Sequence, residues 1–244
     1  MAIALVTGAS RGLGRALARE LAERGWSLVL DARHGEALAE AEEALRPSLA
    51  PSAGLVSVTG DVAEARHRHA LIEAAQRLGG LDLLVNNAST LGAAPLPSLV
   101  SYPLDELAAT LHTNVVAPLA LVQQSIGLLR RSTRPAVMNI TSDASVEAYE
   151  GWGGYGLSKA ALDHMSAVLA VEEPSILMWA VDPGDMRTQM HQDAFPGEDI
   201  SDRPWPAEVV PDLVGLIEAR PPSGRYRMAE LRAQRGHVLQ SEHS

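Results

Sequence analysis

The chain has 244 residues, 46% of them hydrophobic, with a formal net charge of −10 and no cysteine. That balance fits a soluble domain with a sizeable core, and it excludes a disulfide framework and thiolate chemistry. The acidity argues against nucleic acid or an anionic membrane as partner, and no apolar run approaches the ~18 residues of a membrane span.

The first residues, MAIALVTGAS, carry no basic leader and enter structure at once, so no signal peptide is expected and a cytoplasmic location follows. Short apolar runs predict strands at 2–6, 27–31, 54–58, 81–85, 136–140, 176–181 and 224–228. Helical patterns fill 12–24, 36–46, 63–78, 104–130 and 156–171. Strand followed by helix, repeated, predicts an α/β fold: a doubly wound Rossmann-type sandwich on a mainly parallel seven-stranded sheet, with 1–244 as one domain. The stretch 184–205 is long for a loop yet carries Met186, Met190, Phe195 and Trp205, too apolar for a free tail. It is read as a substrate lid over 185–205.

TGASRGLG, residues 7–14, lies between the first strand and the first helix. Gly8, Gly12 and Gly14 let the backbone turn sharply and approach a pyrophosphate, with the unpaired N–H groups of a helix N-terminus behind them. The same residues contain GASRG, the pattern of a hydrolase nucleophile elbow, with Ser10 as the nucleophile. Position counts against that alternative, because such an elbow follows several strands and here only one precedes it.

YGLSK, residues 155–159, holds the only lysine; the other 19 basic residues are arginine. On a helix Tyr155 and Lys159 share a face, and an ammonium there would lower the phenol pKa towards neutrality; the alternative is an ordinary surface pair. Asp61 and Glu64 have the spacing of a helix cap. Arg130, Arg131 and Arg134 suit a helix C-terminus. His67 and His69, two apart, read as a solvated helical face, and no metal site is expected.

Taken in order, these motifs resemble the short-chain dehydrogenase/reductase family over nearly the whole length. The matching segments are TGASRGLG, NNAS (86–89), Tyr155 with Lys159, Ser142 thirteen residues before Tyr155, DPGDMRT (182–188), and Asn114 in HTNVVAP. Ser89 stands where the family has glycine. The resemblance implies an oxidoreductase that reduces a ketone or aldehyde, or oxidises the alcohol. Tyr155 would be the general acid or base, Lys159 would tune it and hold the nicotinamide ribose, Ser142 would bind the substrate oxygen, and Asn114 would anchor a water chain.

The same resemblance implies cofactor contacts from Gly8, Ser10, Arg11, Gly12, Leu13 and Gly14, with Tyr155 and Lys159 at the ribose. Asp61 and Val62 fall near the adenine, Asn87 and Ala88 against the adenosine ribose, and Pro183, Gly184 and Thr188 along the nicotinamide amide. Asp31 by itself reads as an NAD clasp. Arg11 and Arg33 mark a 2′-phosphate, and the discriminating position is Ala32, so NADP(H) is the expected cofactor with NAD(H) the alternative. The mouth should draw on 89–96, 144–154 and the lid, where Trp152, Tyr149, Met186, Met190 and Phe195 suit an apolar or aromatic substrate. The helices over 104–130 and 156–171 imply a homodimer or homotetramer. Two other readings stay open: a 3-oxoacyl carrier-protein reductase docking its carrier at the Arg130 cluster, and a non-catalytic NADP-binding regulator.

Overall fold

The structure is a computed structural model in which residues 1–232 are described; residues 233–244, the end of the expected 1–244 domain, lie outside the described residues. Strands β1 (Ile3–Val6), β2 (Ser27–Ala32), β3 (Leu55–Thr59), β4 (Leu83–Asn86), β5 (Ala136–Ile140), β6 (Leu177–Asp182) and β7 (Gly224–Arg227) form one sheet. Its order is β3-β2-β1-β4-β5-β6-β7, and every pairing is parallel. The expected mainly parallel sheet is therefore wholly parallel among the described residues. β1 and β2 are buried at every position, as strands covered on both faces must be.

Helices α1 (Gly12–Glu23) and α2 (Gly35–Leu45) cover one face of the sheet, and α3 (Ala65–Leu78) covers the other. The segment expected as one helix over 104–130 runs as α4 (Leu104–Leu111), a π-helical turn (His112–Val116) and α5 (Ala117–Leu129). Helix α6 (Gly153–Glu172) starts three residues before the expected 156. The stretch expected to be irregular contains a short helix, α7 (Gln189–Ala194). Helix α8 (Pro206–Ala219), not anticipated from the sequence, packs with α1 on the first face. No helix among the described residues is long and apolar enough to cross a membrane.

The expected cap at Asp61 is not formed. Its carboxylate accepts from Ala63 N at 2.8 Å and its carbonyl from Glu64 N at 2.9 Å, which closes a local turn, and α3 starts only at Ala65. The sheet order reverses at β1, which pairs β2 on one side and β4 on the other. A crevice opens beyond the C-terminal ends of strands at such a switch point, and the phosphate loop and NNAS both lie there.

Candidate active site

Gly8 (φ +66°) and Gly12 (φ +56°) adopt left-handed backbone that side chains disfavour. At Gly14 the constraint is space: a Cβ would stand 2.4 Å from Gly8 O and 2.5 Å from Asn87 Nδ2. The loop is held from β4. Asn87 Nδ2 donates to Thr7 O (2.8 Å) and Gly8 O (3.2 Å), and Thr7 Oγ1 accepts from Asn87 N (2.9 Å) and Ala88 N (3.0 Å). The Asn87 amide, expected against a ribose, is thus committed to loop carbonyls. No side chain caps the N-terminus of α1, so its first N–H groups face the cleft.

The acid at the end of β2 is turned under this loop. Asp31 accepts from Gly8 N at 2.7 Å and from His67 Nε2 at 2.9 Å. Burial raises its carboxyl, and the bonds from His67 and Gly8 oppose that rise. His67 is therefore not on a solvated face: it is buried, while His69 is exposed. Two residues along a helix are 200° apart, so one histidine points inward when the other points out.

The catalytic candidates gather where β5 ends and α6 begins. Tyr155 is 8% exposed and Lys159 2%. Tyr155 lines the cleft with Ser142 and Ser89. Burial, reinforced by Asp182 and Asp143, drives its pKa up, with the two serines opposing. The sequence suggested the opposite direction. The physical reason is the burial of both groups: the Lys159 ammonium stands over the Tyr155 ring, 5.3 Å from its centroid, and donates to Ile140 O at 2.7 Å. Burial pulls Lys159 itself down to about 8, with Asp163 opposing.

Ser142 Oγ donates to Asp143 Oδ1 at 2.9 Å and accepts from Ala144 N at 3.2 Å, which fixes its direction. Asn114 sits in the π-helical turn with its amide saturated. It accepts from Thr90 N (2.9 Å) and Ser89 Oγ (3.2 Å) and donates to Thr90 O (2.9 Å) and Ser158 Oγ (2.9 Å). The side chain therefore has no free position for the expected water, because it braces the 89–90 segment against α6; a π-helical turn opens the main chain instead. Ser89, the departure from the family glycine, adds a hydroxyl within reach of both Asn114 and Tyr155.

One cleft of about 1240 Å³ is lined by Gly8, Arg11, Gly12, Leu13 and Asn87 together with Ser89, Ser142, Tyr155 and Lys159. Pro183, Gly184 and Thr188 line it too, as do Trp152, Met186 and Met190. The family profile described as short chain dehydrogenase matches residues 2–199.

The chain belongs to the short-chain dehydrogenase family.

It is an oxidoreductase that acts on carbonyl or alcohol groups, in a family that binds nicotinamide cofactors. Among relatives, sepiapterin reductase of Rattus norvegicus is 34% identical over 201 residues, covering 78% of this chain and 76% of the relative. The rhamnolipids biosynthesis 3-oxoacyl-[acyl-carrier-protein] reductase of Pseudomonas aeruginosa is 39% identical over 175 residues, 70% of this chain and 66% of the relative. A short-chain dehydrogenase of Shigella flexneri 2a, solved in complex with NADP, superposes with a TM-score of 0.84 at 26% identity, covering 93% of this chain and 95% of that one.

Not every expected residue of this dehydrogenase reaches the main cleft. Arg33 and Asp61 line a smaller recess of about 540 Å³ with Thr90, His112 and Thr113. Ser10, Gly14, Val62, Ala88 and Asn114 line neither; Gly14 and Asn114 shape the site from behind. Tyr149 leaves the expected substrate wall, because its hydroxyl is drawn out to Asp143 (2.9 Å) and Glu147 (2.8 Å). Phe195 backs the wall, with its ring 5.8 Å from that of Trp152.

One residue behind the site was not foreseen. Arg225 reaches back from β7, donating to Asp163 Oδ2 (2.9 Å) and to Ser142 O (3.0 Å), with Asp182 Oδ2 3.5 Å away. It offsets two carboxylates beside the site and pins the main chain that carries Ser142. Its only sequence signal is a pair of alternating arginines on an edge strand. Arg225→Met is expected to lower stability by about 1–3 kcal/mol, because it leaves Asp163 and Asp182 undercompensated in a half-buried site. A denaturant melt with unchanged slope would show it; a midpoint equal to wild type would mean the network contributes nothing.

Proposed function

We propose that this dehydrogenase is an NADP(H)-dependent reductase of ketones or aldehydes. The observation that carries the reading is geometric: Tyr155, a buried phenol, lines the cleft together with Ser142, Ser89 and Lys159, whose ammonium stands over its ring. A carbonyl being reduced gains negative charge on oxygen and must receive a proton there, and a neutral phenol is the group to deliver it. Ser142, aimed by Asp143 and Ala144, holds that oxygen as an electrostatic stabiliser. Lys159 holds the ribose hydroxyls and returns a proton to Tyr155. Asn114 keeps Ser89, Thr90 and α6 in register for the transfer.

The cradle suits a dinucleotide. Gly8 and Gly12 leave no side chain between the loop and a pyrophosphate, Gly14 lets α1 pack closely behind the loop, and Leu13 and Ser10 continue the loop into α1. Arg11 and Arg33 are exposed and carry no ion pair among the described residues, so both guanidiniums are available to a 2′-phosphate. Asp61 and Val62 would hold the adenine end, Ala88 the ribose, and Pro183, Gly184 and Thr188 the nicotinamide end. Bound nicotinamide supplies the hydride. Residues 185–205 would cover the cleft: Thr188 caps α7, accepting from His191 N at 3.2 Å, and Met190 of this stretch packs with Trp152 and Tyr155. That apolar wall favours an apolar or aromatic carbonyl and keeps water off the transfer path.

Within this reading the chain forms one domain, acts in the cytoplasm and pairs with copies of itself. Exposed Leu104, Val116 and Leu157 on the α4–α5 and α6 surfaces support the pairing. The 3-oxoacyl carrier-protein alternative draws support from the Pseudomonas aeruginosa relative. Against it, Arg130 of the expected docking cluster is already paired with Glu173. A non-catalytic regulator would have no use for a complete Ser142, Tyr155 and Lys159 set.

The test is a panel of ketones, aldehydes and carrier-bound 3-oxoacyl groups, followed by loss of reduced-nicotinamide absorbance with NADPH and with NADH. Turnover only of carrier-bound substrates would replace this reading by the alternative, and no turnover at all would revive the regulator. Arg33→Asp is expected to shift the NADPH-to-NADH ratio of kcat/KM by roughly 10- to 100-fold towards NADH, since it removes a charge-assisted contact and adds a repelling acid. A wild type that prefers NADH would overturn the cofactor assignment.

A further inference from the structure

We infer that His67 is a positioning residue for cofactor choice: it holds the Asp31 carboxylate beneath the phosphate loop and so keeps it away from the cofactor's 2′-phosphate. The inference rests on the NADP(H) reading above. Asp31 is the next-to-last residue of β2, two before Arg33. An acid at this strand end ordinarily reaches the ribose 2′-hydroxyl, and facing a 2′-phosphate it would repel it. Here both oxygens are engaged elsewhere, Oδ1 by Gly8 N at 2.7 Å and Oδ2 by His67 Nε2 at 2.9 Å. Asp31 is 1% exposed and His67 7%.

The histidine has a seat made for it. A Cβ on Gly60 would stand 2.3 Å from His67 Nδ1 and 2.7 Å from Cγ, so only glycine admits the ring. Gly60 N in turn donates to Ala32 O at 3.0 Å, next to Asp31. The end of β2, the turn after β3 and the phosphate loop therefore meet at one imidazole. A buried polar contact adds little net stability compared with apolar packing, so the pair makes more sense as a device for placing a carboxylate. With the donor at 67 removed, Asp31 Oδ2 is left buried without a partner, a cost relieved by turning the carboxylate out to solvent. There it competes with the 2′-phosphate for Arg33.

The test is titration of the full-length protein with NADPH and with NADH, read as nicotinamide fluorescence or heat, alongside thermal melts. His67→Leu is expected to weaken NADPH by roughly 10-fold while NADH changes by less than about threefold. His67→Gln, which keeps a side-chain N–H, should hold the wild-type ratio. Adding Asp31→Asn to His67→Leu should return NADPH affinity to within about threefold of wild type, because no loose charge remains. Should His67→Leu not fold, Gly60→Ala displaces the ring instead and carries the same expectation, with the same rescue. Equal loss of both cofactors, or no rescue by Asp31→Asn, overturns the role of His67. Wild-type protein binding NADH more tightly than NADPH overturns the cofactor reading itself, whatever the variants do.

Discussion

Tyr155→Phe is expected to lower kcat for carbonyl reduction by roughly 10²- to 10⁴-fold, the usual contribution of a positioned general acid. The ring stays, so its edge contact with Trp152 at 5.7 Å and the packing around it survive. Ser142 also keeps its bonds to Asp143 and Ala144, so its direction does not depend on the phenol. Cofactor affinity should change by less than about threefold, which confines the loss to the chemical step. Measured kcat together with a cofactor titration checks both parts; a kcat near wild type would remove Tyr155 from the reaction. The raised pKa of Tyr155 adds a direction. Alcohol oxidation needs the phenolate, so its rate in the wild type should climb with pH through and above neutrality, while reduction, which uses the phenol, should not.

How much of this was legible beforehand depends on whether the constraint is local. Gly8, Gly12 and Gly14 are set by backbone turns within a few residues, and the strands by continuous apolar runs, so both could be read directly. Tyr155 and Lys159 share a face through helical spacing alone. Two of the misses are contacts between distant segments. His67 meets Asp31 across 36 residues, and Arg225 meets Ser142 across 83, so no window on the chain shows either. Helix α8 was hidden by Pro211 within its run, although Pro206 at its first turn, with Glu208 accepting from Trp205 N at 2.6 Å, is a start signal that could have found it. The tyrosine pKa was misjudged because sequence shows that an ammonium is near but not how deeply both groups are buried.

Burial also explains how the site is held. A buried polar chain runs from Asn86 Nδ2 to Asn139 Oδ1 (2.7 Å), from Asn139 Nδ2 to Ser166 Oγ (2.8 Å), and from Ser166 Oγ to Leu162 O (2.7 Å). It ties β4 and β5 to α6 at a fixed rotation, which is what points Tyr155 and Lys159 into the cleft. Such a chain specifies one arrangement of helix on sheet, with Asn86 Oδ1 its one buried atom that finds no partner among the described residues.

Lys159→Arg is expected to cost at least roughly 100-fold in kcat despite keeping the charge. The seat is 2% exposed and sized for an ammonium that reaches Ile140 O at 2.7 Å. A guanidinium is wider and planar, so forcing it in should also lower stability by about 1–3 kcal/mol. It cannot return a proton to Tyr155, because it does not deprotonate at working pH. Lys159→Met separates function from folding. The folded pKa of about 8 lies below the usual 10.5, so between those values the unfolded chain binds more protons and wild-type stability rises with pH. That rise, about 3 kcal/mol at most, is the cost of burying the ammonium at neutral pH. Removing the ammonium recovers that cost but strands the Ile140 carbonyl, at about 1–3 kcal/mol. Near neutral pH the two offset, so Lys159→Met should melt close to wild type, show a flatter pH dependence above about pH 8, and lose activity as severely as Lys159→Arg. Retained turnover in Lys159→Arg would mean that charge alone suffices at this position, and the lysine would have no part in the proton path.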